Sequence, residues 1–263
     1  MAGFNDSINY NGLYYGIDRI LSYNANVSGV LSNKRLRFDM ASLFPELTNN
    51  GMRGQPASTY AQGCKRYYLP AGYINGLSAS TNTTVSYLAS FEAFLDNEGD
   101  EMDFIAYAGK VLDFTFATLP VPAGTYEVRL GYLPTVYLGA AQVFIDSIPA
   151  GSPIQFSNLA NINTIGWEKP GSVADDPDGY FNDKTLRNHG YMKGPANFTV
   201  PNTTFYTGPA RNSVNYMRKI LGTFTFNQAG KHKITITGLC NSVLNIDFIE
   251  FVPVSALENE DVY

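Results

Sequence analysis

From Thr125 to Tyr132 the chain alternates: Tyr126, Val128, Leu130 and Tyr132 take one face, and Thr125, Glu127, Arg129 and Gly131 take the other. A period of two predicts a β-strand with one face buried and one in water. The run Leu112-Asp113-Phe114-Thr115-Phe116 alternates as well, and the connector Leu119 to Gly124 carries Pro120 and Pro122, which cannot continue a hydrogen-bonded ladder. The two runs are expected to turn back on each other as an antiparallel pair. A further strand, Ala141 to Asp146, follows. The same phrase recurs near the C-terminus, where Phe224-Thr225-Phe226 echoes Phe114-Thr115-Phe116, and Ala229-Gly230 echoes Ala123-Gly124 ahead of His232 to Thr237. A second pair of the same build is expected there. Val243 to Val252 is apolar on both faces apart from Asn245, Asp247 and Glu250, the pattern of one central strand covered on each side.

Other stretches are less regular. In 86–105, Tyr87, Leu88, Phe91, Phe94 and Leu95 match helical spacing, but Gly99 and the surrounding strands favour β. Residues 25–84 mix a basic-apolar run, Lys34 to Phe38, with Leu43-Phe44-Pro45-Glu46-Leu47 and several turn residues. They read as an irregular N-terminal extension packed on a sandwich. Residues 151–218 are rich in Gly, Pro, Asn and Tyr without a sustained period. They are expected to be mostly loop, with short strands near Phe198-Thr199-Val200 and Tyr216-Met217. Long irregular stretches inside a compact domain are usually functional, so a binding site is expected here. The fold class is all-β, a β-sandwich over 85–254 with a C-terminal tail at 255–263.

Composition narrows the function. Charged residues make up 16% of the chain, below the roughly 25% of ordinary soluble proteins, and hydrophobic residues reach 44%, which excludes disorder. A formal net charge of -5 offers no electrostatic attraction to nucleic acid or to an anionic membrane face. No apolar run approaches the roughly 18 residues of a membrane helix, and MAGFNDSINYNG lacks the regions of a signal peptide. Because an export signal is removed from a mature protein, this start does not assign a compartment. Cys64 and Cys240 lie far apart with no CxxC pair, leaving buried free thiols or a single disulfide.

Two resemblances add to this reading. NGLYYGIDRIL, Asn11 to Leu21, resembles the closing segment of fasciclin domains, so that 1–24 reads as the remnant of one. The strings FEAFLDNEGDEMDF, LPVPAGTYEVRLGY, AAQVFIDSIPAG, RNHGYMKGPANF, RKILGTFTFNQAGKHKITIT and LNIDFIEFVPV are together similar to the C-terminal region of fasciclin-type surface lipoproteins encoded beside Sus-like glycan-import systems in Gram-negative gut bacteria. Within them, AGTYEVRLGY, AQVFIDSIPAG, AGKHKITIT and LNIDFIEF resemble galactose-binding-like sandwich modules that bind carbohydrate. The resemblance implies a jelly-roll sandwich and an exported protein at the outer-membrane surface, held by a lipid anchor outside this sequence. It also implies capture of a poly- or oligosaccharide and a place beside a Sus-like outer-membrane transporter complex.

Sugar recognition sets an aromatic ring against the apolar face of a pyranose, while carboxylates, amides and guanidinium groups bond its hydroxyls. These residue types gather in Trp167, Asp176, Asp178, Tyr180, Arg187, Asn188 and Tyr191, the expected ligand-binding set. Each has a plainer reading: Trp167 as a core aromatic, Arg187 as the partner of a nearby carboxylate. Asp175-Asp176-Pro177-Asp178-Gly179 offers oxygens to calcium, but it departs from the EF-hand spacing at Ala174 and Thr185, and a solvated turn accounts for it as well. No cofactor is expected beyond that open calcium question, and no metal ligands are assigned. Catalysis lacks a constellation: there is no GxSxG elbow, and the histidines are His189 and His232. The expectation is a non-catalytic surface glycan-binding protein; the alternative is a structural or adhesion accessory that docks onto a transporter.

Overall fold

Pro120 and Pro122 do not close a hairpin. The computed structural model describes residues 7–9, 12–14, 29–53, 64–90, 97–107, 109–196, 199–200, 208–240 and 243–259. Asp113–Ala117 pairs with Lys233–Gly238 and Leu77–Ala79, whereas Gly124–Tyr132 pairs with Met217–Phe226 and Phe248–Pro253. The expected pairing within each repeated phrase is therefore corrected: the strands flanking each connector lie in different sheets. Residues 119–123 and 227–231 are two arches between sheets, side by side and joined by hydrogen bonds of 2.8 and 3.0 Å between Val121 and Gly230. The two phrases pair with each other, Phe116 opposite Ile234 and Tyr126 opposite Phe224. Prolines suit an arch because it needs few ladder donors.

All pairings between these strands are antiparallel. One sheet runs Tyr191–Lys193, Met217–Phe226, Gly124–Tyr132, Phe248–Pro253, Leu36–Asp39. A second runs Ile148–Pro149, Ala140–Ile145, Lys233–Gly238, Asp113–Ala117, Leu77–Ala79, with Ile154–Gln155 also on Ala140–Ile145. The third runs Val243–Ile246, Asp100–Ile105, Thr84–Ser90, Cys64–Leu69. The sheets share one apolar core in which Tyr126, Val128 and Leu130 join Phe114, Phe116, Val143, Ile234 and Ile236. Phe104 of the third sheet stacks on Phe114 of the second, ring centroids 3.5 Å apart. The fold is an all-β sandwich. No described helix is long and apolar enough to cross a membrane.

Three stretches differ from expectation in detail. The strand expected over Val243 to Val252 breaks at Asp247, where the chain passes from the third sheet to the first. The break is held by polar groups: Asp247 N–H donates to Gly131 O at 3.2 Å, and the Asp247 carboxylate accepts from Asn97 N–H and the Tyr216 hydroxyl. Residues 25–84 contribute strands to all three sheets. The region 151–218 holds a helix, Tyr180–Asn188, beside the short strands Tyr191–Lys193 and Thr199–Val200. Where described, 86–105 consists of the strands Thr84–Ser90 and Asp100–Ile105 and a single 3-10 turn, Asn97–Gly99; Phe91, Phe94 and Leu95 lie outside the described residues, as do Phe198 and most of 1–24. Cys240 is a free, exposed thiol, which corrects its expected burial.

Candidate functional site

Apart from the exposed Thr125, the polar face of Gly124–Tyr132 is not in water. Glu127, Arg129 and Gly131 are buried; Arg187 of the helix Tyr180–Asn188 reaches Glu127, and the Phe248 ring lies over Gly131. Arg129 lies between Glu127 (Nε to Oε1, 2.7 Å) and Glu250 (Nη1 to Oε1, 3.2 Å). Glu250 also pairs with Arg218 at 3.2 Å and Arg37 at 2.9 Å. Burial alone would raise the Glu250 carboxyl, but Arg218, Arg37 and Arg129 pull it down to about 2. From the helix, Arg187 donates to both carboxylate oxygens of Glu127, and Arg218 Nε donates to Lys193 O at 2.8 Å. The Arg187–Glu127 pair clasps the helix onto the sheet, and the Arg218 bond ties two of its strands together. Gly131 belongs to the same face, where a Cβ would collide with the Phe248 ring.

The helix is locked from its ends and its inner side. Gly179 enters it at φ 72°, and the Asp176 carboxylate accepts the N–H groups of Phe181 (3.0 Å) and Asn182 (2.9 Å). Desolvation opposes the shift, yet the N–H groups of Asn182, Phe181 and Tyr180 hold Asp176 below the ordinary carboxylate value. Inward, Asn182 donates to Gly166 O at 2.7 Å and accepts Glu168 N–H at 3.1 Å, which ties the Gly166-Trp167-Glu168 loop along the helix. Asp183 pairs with the buried Lys193 at 3.2 Å and with Arg211. Trp167 packs half-buried against the core, its ring centroid 6.0 Å from Lys193 Nζ. Tyr191 is also half-buried, with Lys219 Nζ 3.9 Å from its ring centroid, and burial raises its phenol.

The expected ligand set thus divides. Trp167, Asp176, Arg187 and Tyr191 are engaged in packing, capping or ion pairing, while Asp178, Tyr180 and Asn188 face water. Sequence reasoning missed Phe181 and Lys184. Phe181, Lys184, Thr185 and Asn188 are all exposed at the i, i+3, i+4, i+7 spacing of one helix face, a stripe that becomes visible once the helix is recognised. Phe181 is 64% exposed and meets Tyr180 edge to face at 5.7 Å; Lys184 Nζ stands 4.2 Å from the Tyr180 ring centroid. An exposed ring with an ammonium and an amide on one helix, and a carboxylate in the turn before it, can stack on a sugar and bond its hydroxyls.

No family model matches the chain, and no curated protein matches it. Among solved structures it is similar to a Paenibacillus xanthan lyase, at 13% identity over 67% of this chain and 12% of that one, with a TM-score of 0.38. It is also similar to a family 35 carbohydrate-binding module from Clostridium thermocellum, at 8% identity over 72% of this chain and 99% of that one, TM-score 0.34. A third is the C-terminal family 6 carbohydrate-binding module of LamC from Zobellia galactanivorans, at 12% identity over 72% and 99%, TM-score 0.31. The architecture rests on the sheets themselves.

A second aromatic surface lies at one end of the sandwich. Tyr107, Val111, Val136, Tyr137 and Leu239 are exposed there. Their connections converge because Gly139 N–H donates to Val243 O (3.1 Å), Val243 pairs with Ile105, and Gly238 N–H donates to Leu112 O (2.8 Å). This surface is more apolar than the helix stripe. Among the described residues no group of three or more His, Cys, Asp or Glu is arranged to hold a metal ion. His232 Nδ1 is 2.6 Å from Asp146 Oδ2 with its ring stacked on Phe226, and His189 Nδ1 is 3.0 Å from Ile165 O.

Proposed function

We propose that this protein is a non-catalytic glycan-binding protein, exported and lipid-anchored at the outer-membrane surface as part of a polysaccharide-utilisation system. The observation that carries the glycan reading is the exposed Tyr180–Phe181 pair on a helix whose other sides are locked by the Asp176 cap and the Arg187–Glu127 ion pair. Lys184 stands beside the Tyr180 ring, and Asp178 and Asn188 are exposed before and at the end of the same helix. The surface location and the transporter system follow from the resemblance of its sequence to lipoproteins beside Sus-like systems. This reading includes no cofactor and leaves the calcium question to experiment; the Asp176 carboxylate accepts two helix N–H groups.

Binding to a panel of polysaccharides, with and without a calcium chelator, tests the reading. Phe181→Ala and Tyr180→Ala are expected to weaken the bound glycan by about 1 kcal/mol, roughly fivefold. Stability should stay within about 0.5 kcal/mol of the parent. Unchanged affinity in both would remove the stripe from the site, and loss of binding in chelator would show a metal requirement. The alternative, docking onto a transporter, is favoured by the apolar end surface; it takes the lead if no glycan binds while Tyr107→Ala or Tyr137→Ala abolishes retention by the transporter complex.

A further inference from the structure

Asp39, Asp100 and Asp247 arrive from three elements and meet in the interior. Asp39 ends the edge strand Leu36–Asp39, Asp100 opens Asp100–Ile105, and Asp247 sits at the crossing from the third sheet to the first. All three are buried. Arg53 reaches two of them, with Nη2 2.7 Å from Asp39 Oδ2 and Nε 2.5 Å from Asp100 Oδ2. The hydroxyl of Tyr87 donates to Asp100 at 2.7 Å, Ser42 N–H donates to Asp39 at 2.8 Å, and Asn97 N–H and the Tyr216 hydroxyl donate to Asp247. Met40 N–H donates to Asp247 O at 2.7 Å.

The neighbouring charges are otherwise engaged. Arg37 pairs with Glu250 at 2.9 Å, and Glu46, on the helix Pro45–Asn49, accepts Asn75 N–H at 3.0 Å. Three buried carboxylates and the Arg53 guanidinium thus share one site. Two members of the cluster, Asp39 and Arg53, bracket the segment 39–53, whereas Asp100 and Asp247 belong to the body of the sandwich. A cleft of about 270 Å³ lined by Arg37, Phe38, Asp39, Ser42, Leu43, Asn97 and Leu119 opens beside Asp39 and gives water a route to it.

We propose that this cluster is a proton-dependent latch, in which the segment 39–53 is held tightly against the sandwich while the carboxylates retain a proton and loosens when they release it. Like charges that share a dry site cannot all ionise without strong repulsion. Burial, and then the charge of Asp100, raise Asp39 to about 6 against the pull of Arg53. Burial and the charge of Asp39 raise Asp247 well above the ordinary carboxylate value. Repulsion on proton loss falls on the contact between Asp39 and the body, the junction that the segment must keep.

Amide hydrogen exchange of the full chain at pH 5 and pH 8, corrected for intrinsic rates, reads the latch directly. Protection over 39–53 is expected to fall about tenfold between these values, the change in folded-state preference from one carboxyl titrating near 6. Protection of Gly124–Tyr132 should not change comparably. Asp39→Asn, which keeps the shape and removes the charge, should hold 39–53 equally protected at both values; Asp100→Asn serves the same comparison if that variant does not fold. Protection of 39–53 that is independent of pH in the parent, or that falls as much in the Asn variant, overturns the latch. So does an equal loss of protection across the whole sandwich.

Discussion

Glu250 shows how far one residue's role depends on what lies above it. In the alternating pattern it is a polar interruption of an apolar strand, yet it is fully buried with Arg129, Arg218 and Arg37 around it. Removing one partner of such a network strands the others in a dry site. Glu250→Ala is expected to destabilise the protein by about 3 to 5 kcal/mol, measured by urea unfolding. Alternation alone puts Glu127 and Arg129 in water, because the period of a strand reports that its two faces differ, not which one is covered. Trp167 and Arg187 show the reverse. Their chemistry suits a sugar, and each also had a plainer reading, core aromatic and ion pair; the structure places both in those surroundings.

At the scale of elements, the helix Tyr180–Asn188 was illegible for a specific reason. Its inward residues are Asn182, Asp183 and Leu186, so the buried stripe is mostly polar and leaves no apolar period in the sequence. Its inner face is satisfied by ion pairs and amide bonds that only the folded chain brings together. Asp176 supplies the cap, and Asp176→Ala is expected to lower the thermal midpoint while leaving glycan affinity unchanged. Parallel measurement of thermal midpoint and affinity separates this role from ligand contact. The arches teach a related lesson. Repetition of Phe-Thr-Phe and Ala-Gly was legible, and so was the strand character on either side; which strands hydrogen-bond each other depended on whether the proline connector turned within a sheet or crossed between two.

At the scale of the whole molecule, buried carboxyls give stability a two-sided dependence on pH. Glu250 is depressed, so its contribution is complete above its unfolded value near 4.5 and is lost as pH falls through about 2. Asp39 is raised, so its contribution is complete below 3.8 and is lost as pH rises through about 6. Asp103 is also raised, chiefly by burial, and Asp247 strongly so. The thermal midpoint is expected to climb as pH falls from 7.5 to about 5, and to drop again at strongly acid pH. A midpoint that declines steadily from neutrality downward would contradict this balance.

The sequence by itself determined the all-β class, the run of most strands and the apolar composition of the core, because alternation and turn residues act locally. Only the tertiary structure decided which strands pair, that the polar face of Gly124–Tyr132 is covered, and that Asp39, Asp100 and Asp247 share one site. Those outcomes depend on residues distant along the chain, such as Arg37 and Glu250 or Arg53 and Asp100, whose attraction has no meaning until the sheets have brought them within bonding distance.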